Sequence, residues 1–88
     1  MKFTVFWTAG AEAELATIWT EATDRAAVTT AVKRIDDQLA LDAPNAGESR
    51  DAGERIIFEP PIGVLVEVRE SDCLAKVLHV RKLPSRRA

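Results

Sequence analysis

Val64-Leu65-Val66-Glu67-Val68-Arg69 decides the fold, because three valines alternate there with a leucine, a glutamate and an arginine. A period of two marks a strand with one face on a core and the other on solvent. Glu70-Ser71-Asp72 then supplies a turn, and Leu74 to Lys82 reads as a second strand. Upstream, Glu54 to Glu59 reads as a third, stopped by Pro60-Pro61, since proline cannot donate to a ladder. Connections this short predict a meander of three antiparallel strands.

Preceding the meander, Asp42 to Gly53 holds Pro44, Asn45, Gly47, Ser49 and Gly53, a loop composition. The period changes before that loop. Ala27, Val28, Ala31, Val32, Ile35 and Leu39 form one helical stripe, with Lys33, Arg34, Asp36 and Asp37 outside it. Ala11, Leu15, Ile18, Trp19 and Ala22 form another, opened by Thr8 as N-cap with Glu12 and Glu14 in the early turns. Thr23-Asp24 separates the two, and so short a link predicts an antiparallel hairpin. At the N-terminus, Phe3, Val5 and Trp7 alternate along a further strand, Lys2 to Trp7. The order is strand, helix, helix, strand, strand, strand. That predicts an α+β fold, with a four-stranded antiparallel sheet covered on one face by the only other apolar surface, the helical hairpin.

The chain has 88 residues, 47% of them hydrophobic and 30% charged, which suits one domain over residues 1–83 and a flexible basic tail at 84–88. Cys73 is the single cysteine, so an internal disulfide is excluded and a reducing cytoplasm is the expected setting. No apolar stretch approaches the ~20 residues needed to cross a bilayer, so no membrane partner is expected. Net charge is −2, split as −4 over residues 1–53 (nine acids, five bases) and +2 over residues 54–88 (five acids, seven bases). From Leu74 onward the charged residues are Lys76, Arg81, Lys82, Arg86 and Arg87, a basic end suited to phosphate or an acidic protein. Neither a metal-ligand cluster nor a phosphate-cradling glycine loop is present, so no cofactor is expected.

The order of elements and four local stretches resemble the RelE/ParE superfamily of toxins. Trp7-Thr8-Ala9-Gly10-Ala11-Glu12-Ala13-Glu14-Leu15 is similar to the family's strand-to-helix opening. Gly63 to Val68 is similar to its central strand, Val77 to Lys82 to its basic last strand, and Gly47-Glu48-Ser49-Arg50 to a loop signature of one branch. The resemblance covers residues 2 to 83. It implies the toxin of a type II toxin–antitoxin system, neutralised by a cognate antitoxin in a hetero-oligomer, with homodimers also open. Relatives like RelE cut ribosome-bound mRNA, and relatives like ParE inhibit DNA gyrase. A non-catalytic binding protein of the same fold is the remaining alternative. The sequence has no tyrosine, and it carries Gly63 and Val66 where nuclease relatives have an arginine and an aromatic residue.

Metal-free RNA cleavage needs a base for the 2′-hydroxyl, cations for the charge on phosphorus and an acid for the leaving oxygen. If Val64, Val66 and Val68 face the helices, Glu67 points away. If Leu78 and Val80 face inward, His79 and Arg81 share the outer face, and with Ile56 and Phe58 inward Arg55 joins them. The expected catalytic set is therefore His79, Arg81 and Arg55, with Glu67, Lys82 and Arg50 from the loop as substrate-binding residues. His79 is the single histidine, the residue type suited to serve as base or acid near neutral pH. Cys73 in a turn reads as inert. Trp7 and Trp19 are assigned to the core stripes, and Glu12 and Glu14 form no carboxylate dyad.

Overall fold

The computed structural model describes residues 2–84. Among these the elements run β1 (Thr4–Trp7), α1 (Ala9–Glu21), α2 (Arg25–Asp42), β2 (Glu48–Ser49), β3 (Glu54–Glu59), β4 (Ile62–Arg69) and β5 (Leu74–Lys82). Short 3₁₀ turns at Ala43–Asn45, Asp51–Gly53 and Glu70–Asp72 join them. The α+β architecture is the expected one. The sheet has five strands in the order β1-β5-β4-β3-β2, one more than expected, and it is mixed, because β1 pairs parallel with β5. The extra strand is the pair Glu48 and Ser49, which add to Ile56 and Arg55 within the expected loop. The tail expected at 84–88 lies, beyond Pro84, outside the described residues.

Local chemistry sets the helix ends. Thr8 Oγ1 accepts the Ala11 N–H at 3.0 Å and Asp24 Oδ1 accepts the Ala27 N–H at 3.1 Å, each relieving an orphan donor of a first turn. At the far end of α1 the Arg25 guanidinium donates to the Trp19 and Thr20 carbonyls at 3.0 and 2.8 Å, and it lies over the Trp19 ring.

The core lies between the sheet and the hairpin. Ile35, Leu39 and Ala31 of α2 and Ala11 of α1 meet Ile57, Ile62, Val64, Val66, Ala75, Val77 and Val80 of the sheet. Trp7 Nε1 donates to Asp36 Oδ1 at 2.7 Å, tying β1 to α2. Trp19 departs from the core stripe assigned to it: it is 43% exposed, with Nε1 donating to Thr29 Oγ1 at 3.3 Å. Its neighbours Leu15 and Ile18 are only half-buried. The α1 stripe therefore leaves an apolar groove of about 430 Å³ between the helices, lined by Leu15, Ala16, Trp19, Val28 and Val32.

Two strands present faces other than the expected ones. On β3, Ile57 is buried while Phe58 is 51% exposed, so Ile56 and Phe58 point away from the helices. Glu59, of the same parity as Ile57, meets Arg34 and Gln38 of α2. On β5, Val77 and Val80 are both buried although they are three apart. The ladder to β4 slips there, from Val66↔Val77 to Leu65↔His79, which leaves Leu78 unmatched. A bulge of this kind puts an extra residue in one strand and changes its parity.

Two glycines give opposite expectations for the same substitution. Gly47 has φ +57°, and a Cβ there would lie 2.1 Å from the Ile56 carbonyl oxygen. Gly10 lies in the first turn of α1 with no atom nearer than 4.0 Å to a Cβ. Urea unfolding should show Gly47→Ala losing more than about 1 kcal/mol and Gly10→Ala gaining roughly 0.5 kcal/mol.

Candidate functional site

Thr8 caps α1, so β1 ends at Trp7 opposite Val77. β5 continues to Lys82. Past Val77 its edge toward β1 faces helix α1 instead of a strand. The Val80 N–H on that edge donates to Glu14 Oε1 at 2.9 Å. The other oxygen of the same carboxylate accepts Arg81 Nη1 at 2.6 Å and lies 3.5 Å from His79 Nδ1. Three successive residues of β5 thus converge on one carboxylate from α1. Glu14 lies 66 residues away from Val80 in sequence, and reading the helix alone gave it no role.

His79 and Arg81 also line a groove of about 280 Å³ on the sheet face away from the helices. Ile56, Phe58, Leu65 and Leu83 form its walls, with Gly63 between them. The structure therefore brings together the imidazole and guanidinium expected from parity, although through a bulge that the parity argument lacked. The bulge leaves His79 and Arg81 on the solvent side while Val80 turns to the core.

The other expected site residues lie elsewhere. Arg55 has the parity of Ile57 and so faces the helix side, and its guanidinium donates to the Ala46 and Gly47 carbonyls. It ties down the chain leaving α2. The expectation that it joins the outer cluster failed because Ile57, not Ile56 and Phe58, fills the core. Lys82 also sits on the helix side, beside Ile18, Glu21 and Pro61. Arg50 follows β2, three strands from β5, roughly 14 Å away at the usual strand spacing. Glu67 does lie on the outer face, where it pairs with Arg69 at 3.2 Å.

The electrostatics of Glu14 follow from its donors. Its carboxyl is held below the ordinary 4.5 first by the Val80 backbone hydrogen bond; burial, the next largest effect, opposes this, and Arg81 and then His79 lower it further. Chemically, the arrangement offers one proton-transfer group and one cation beside an apolar wall. Among the described residues no three His, Cys, Asp or Glu side chains gather as a metal site would require, and no helix is long and apolar enough to cross a membrane.

No protein-family model and no curated protein matches the sequence. Solved structures do match. A chain of the toxin–antitoxin complex RelBE2 from Mycobacterium tuberculosis superposes with a TM-score of 0.74 at 16% identity, over 93% of this chain and 92% of that one. A chain of the chromosomal ParDE TA system from P. aeruginosa superposes with a TM-score of 0.66 at 19% identity, over 94% and 98%. This chain shares the α+β fold of those two matched chains, the fold that the sequence resemblance implied.

The lowered Glu14 value fixes a sign for acid unfolding. Above the unfolded value of 4.5 the carboxylate is charged in both states and its contribution is complete. Below it the unfolded chain takes up the proton first, so stability is lost as pH falls through the folded value. Glu14→Gln should therefore flatten the loss of unfolding free energy between about pH 6 and pH 3. Profiles that run parallel in urea titrations of the two proteins would contradict this.

Proposed function

We propose that this protein is the toxin of a type II toxin–antitoxin pair and that it cleaves ribosome-bound mRNA at the groove beside His79. The fold supports the toxin reading. The convergence of His79 and Arg81 at one groove carries the chemical one. In the reaction, the 2′-hydroxyl oxygen bonds to the adjacent phosphorus and the bond from phosphorus to the 5′-oxygen breaks. His79 accepts the 2′-hydroxyl proton and returns a proton to the leaving oxygen, while Arg81 neutralises charge building on the phosphoryl oxygens. Arg55 and Lys82 take no part in this version, since both lie on the helix side of the sheet, and Arg50 is left out of it because it follows β2, three strands from His79 and Arg81.

The antitoxin is the expected partner, and the apolar groove between α1 and α2 offers it surface that the chain itself leaves uncovered. The protein acts in the cytoplasm, where its target and its partner are made.

A second reading is inhibition of DNA gyrase. It is favoured by the walls of the outer groove, where Ile56, Phe58, Leu65 and Leu83 suit a protein surface better than a nucleotide.

Induced expression should arrest bacterial growth, and a translating-ribosome assay should then show new mRNA 3′ ends. His79→Ala and Arg81→Ala should each lower that cleavage by about 100-fold or more. Arg55→Ala should lower stability and leave cleavage by the folded protein unchanged. Intact mRNA together with blocked supercoiling would transfer the conclusion to gyrase. Unimpaired growth would overturn both.

A further inference from the structure

Plugging the edge of β5 requires only one oxygen of Glu14, the one that accepts from Val80. The second is occupied by Arg81 Nη1 at 2.6 Å and faces His79 Nδ1 at 3.5 Å. His79 is the single histidine of the chain and is half exposed, with 53% of its side chain open to solvent. The charged groups around it come from few elements. Helix α1 contributes Glu14, and its own strand contributes Arg81. On β4 the residue opposite is Leu65, and Glu67, further along, is already paired with Arg69. β1 has ended at Trp7. One carboxylate therefore dominates the surroundings of Nδ1.

A neutral imidazole has one N–H and one lone pair, and the hydrogen bond made by one nitrogen decides which it carries. A carboxylate at Nδ1 can only accept, so the proton is held there and the lone pair is left on Nε2. Arg81, gripped by the same oxygen, keeps a fixed place beside the ring.

We infer that Glu14 is the positioning residue of the groove, fixing the Nδ1–H tautomer of His79 so that Nε2 serves as the proton acceptor, and seating Arg81 next to it. The consequence for catalysis rests on the RNA-cleavage reading. The tautomer itself does not.

The test uses the full-length ¹⁵N-labelled protein and a long-range ¹H–¹⁵N correlation spectrum recorded where the imidazole is neutral. A single histidine makes the assignment unambiguous. Wild type should show the proton on Nδ1 and a bare Nε2. Glu14→Gln retains an oxygen for the Val80 N–H, so the fold persists, while the tautomer should shift toward Nε2–H. Wild type with its proton on Nε2 overturns the inference without any variant, and so does a tautomer unchanged in Glu14→Gln. In the ribosome assay the same variant should lose about 10- to 100-fold in kcat with little change in KM. An Nδ1–H wild type that cleaves no RNA supports the positioning role and rejects the RNA-cleavage reading instead. An Nε2–H wild type that does cleave rejects only the inference.

Discussion

The structure depends on a mismatch in length between two neighbouring strands. β1 stops at Trp7, because Thr8 must cap α1, while β5 runs on to Lys82. An edge left open in this way presents bare amides, and a buried or half-buried N–H without a partner costs about 1–3 kcal/mol. Helix α1 resolves the mismatch by folding back along that edge and presenting Glu14 to Val80. The cap that ends β1 and the carboxylate that completes β5 are six residues apart in one stretch, Thr8 to Glu14. Local chemistry in the first turns of a helix thus governs the far end of the sheet. It also gathers the one imidazole and a guanidinium into the same few ångströms.

Two apolar grooves flank this core on opposite sides. One lies between the helices and the other on the outer sheet face. A small chain must commit most of its large apolar side chains to its core, so those it leaves open point to surfaces used by other molecules. Phe58 at 51% exposure and Trp19 at 43% are the largest such departures lining these grooves. The groove between the helices carries little charge chemistry. The other is bordered by His79 and Arg81, which add a proton-transfer group and a cation to its apolar walls.

Much of the fold was legible because alternation is a strong signal wherever polar and apolar residues differ clearly. β3 and β5 have the bounds read from the sequence, and the helix cap at Thr8 is the expected one. Legibility failed where neighbours are all apolar. Ile56-Ile57-Phe58 has no alternation to read, so the face of β3 was assigned wrongly and Arg55 with it. Val77-Leu78 hides the bulge for the same reason. His79 and Arg81 nevertheless reach a shared groove, since the extra residue restores the outward face beyond it. The parallel pairing of β1 with β5 and the reach of Glu14 to Val80 are long-range contacts, for which a single sequence carries no periodic trace. The pair Glu48 and Ser49 is too short a strand to stand out from its loop.

Amide hydrogen exchange at Val80 tests the central claim most directly. If Glu14 completes the open edge of β5, the Val80 N–H exchanges as slowly as the paired amides of the same strand, and Glu14→Ala speeds it selectively. A Val80 amide that exchanges in the intact protein at the rate of an open, solvent-facing N–H would contradict the account. No carboxylate would then be holding that edge, nor gathering the imidazole and guanidinium beside it.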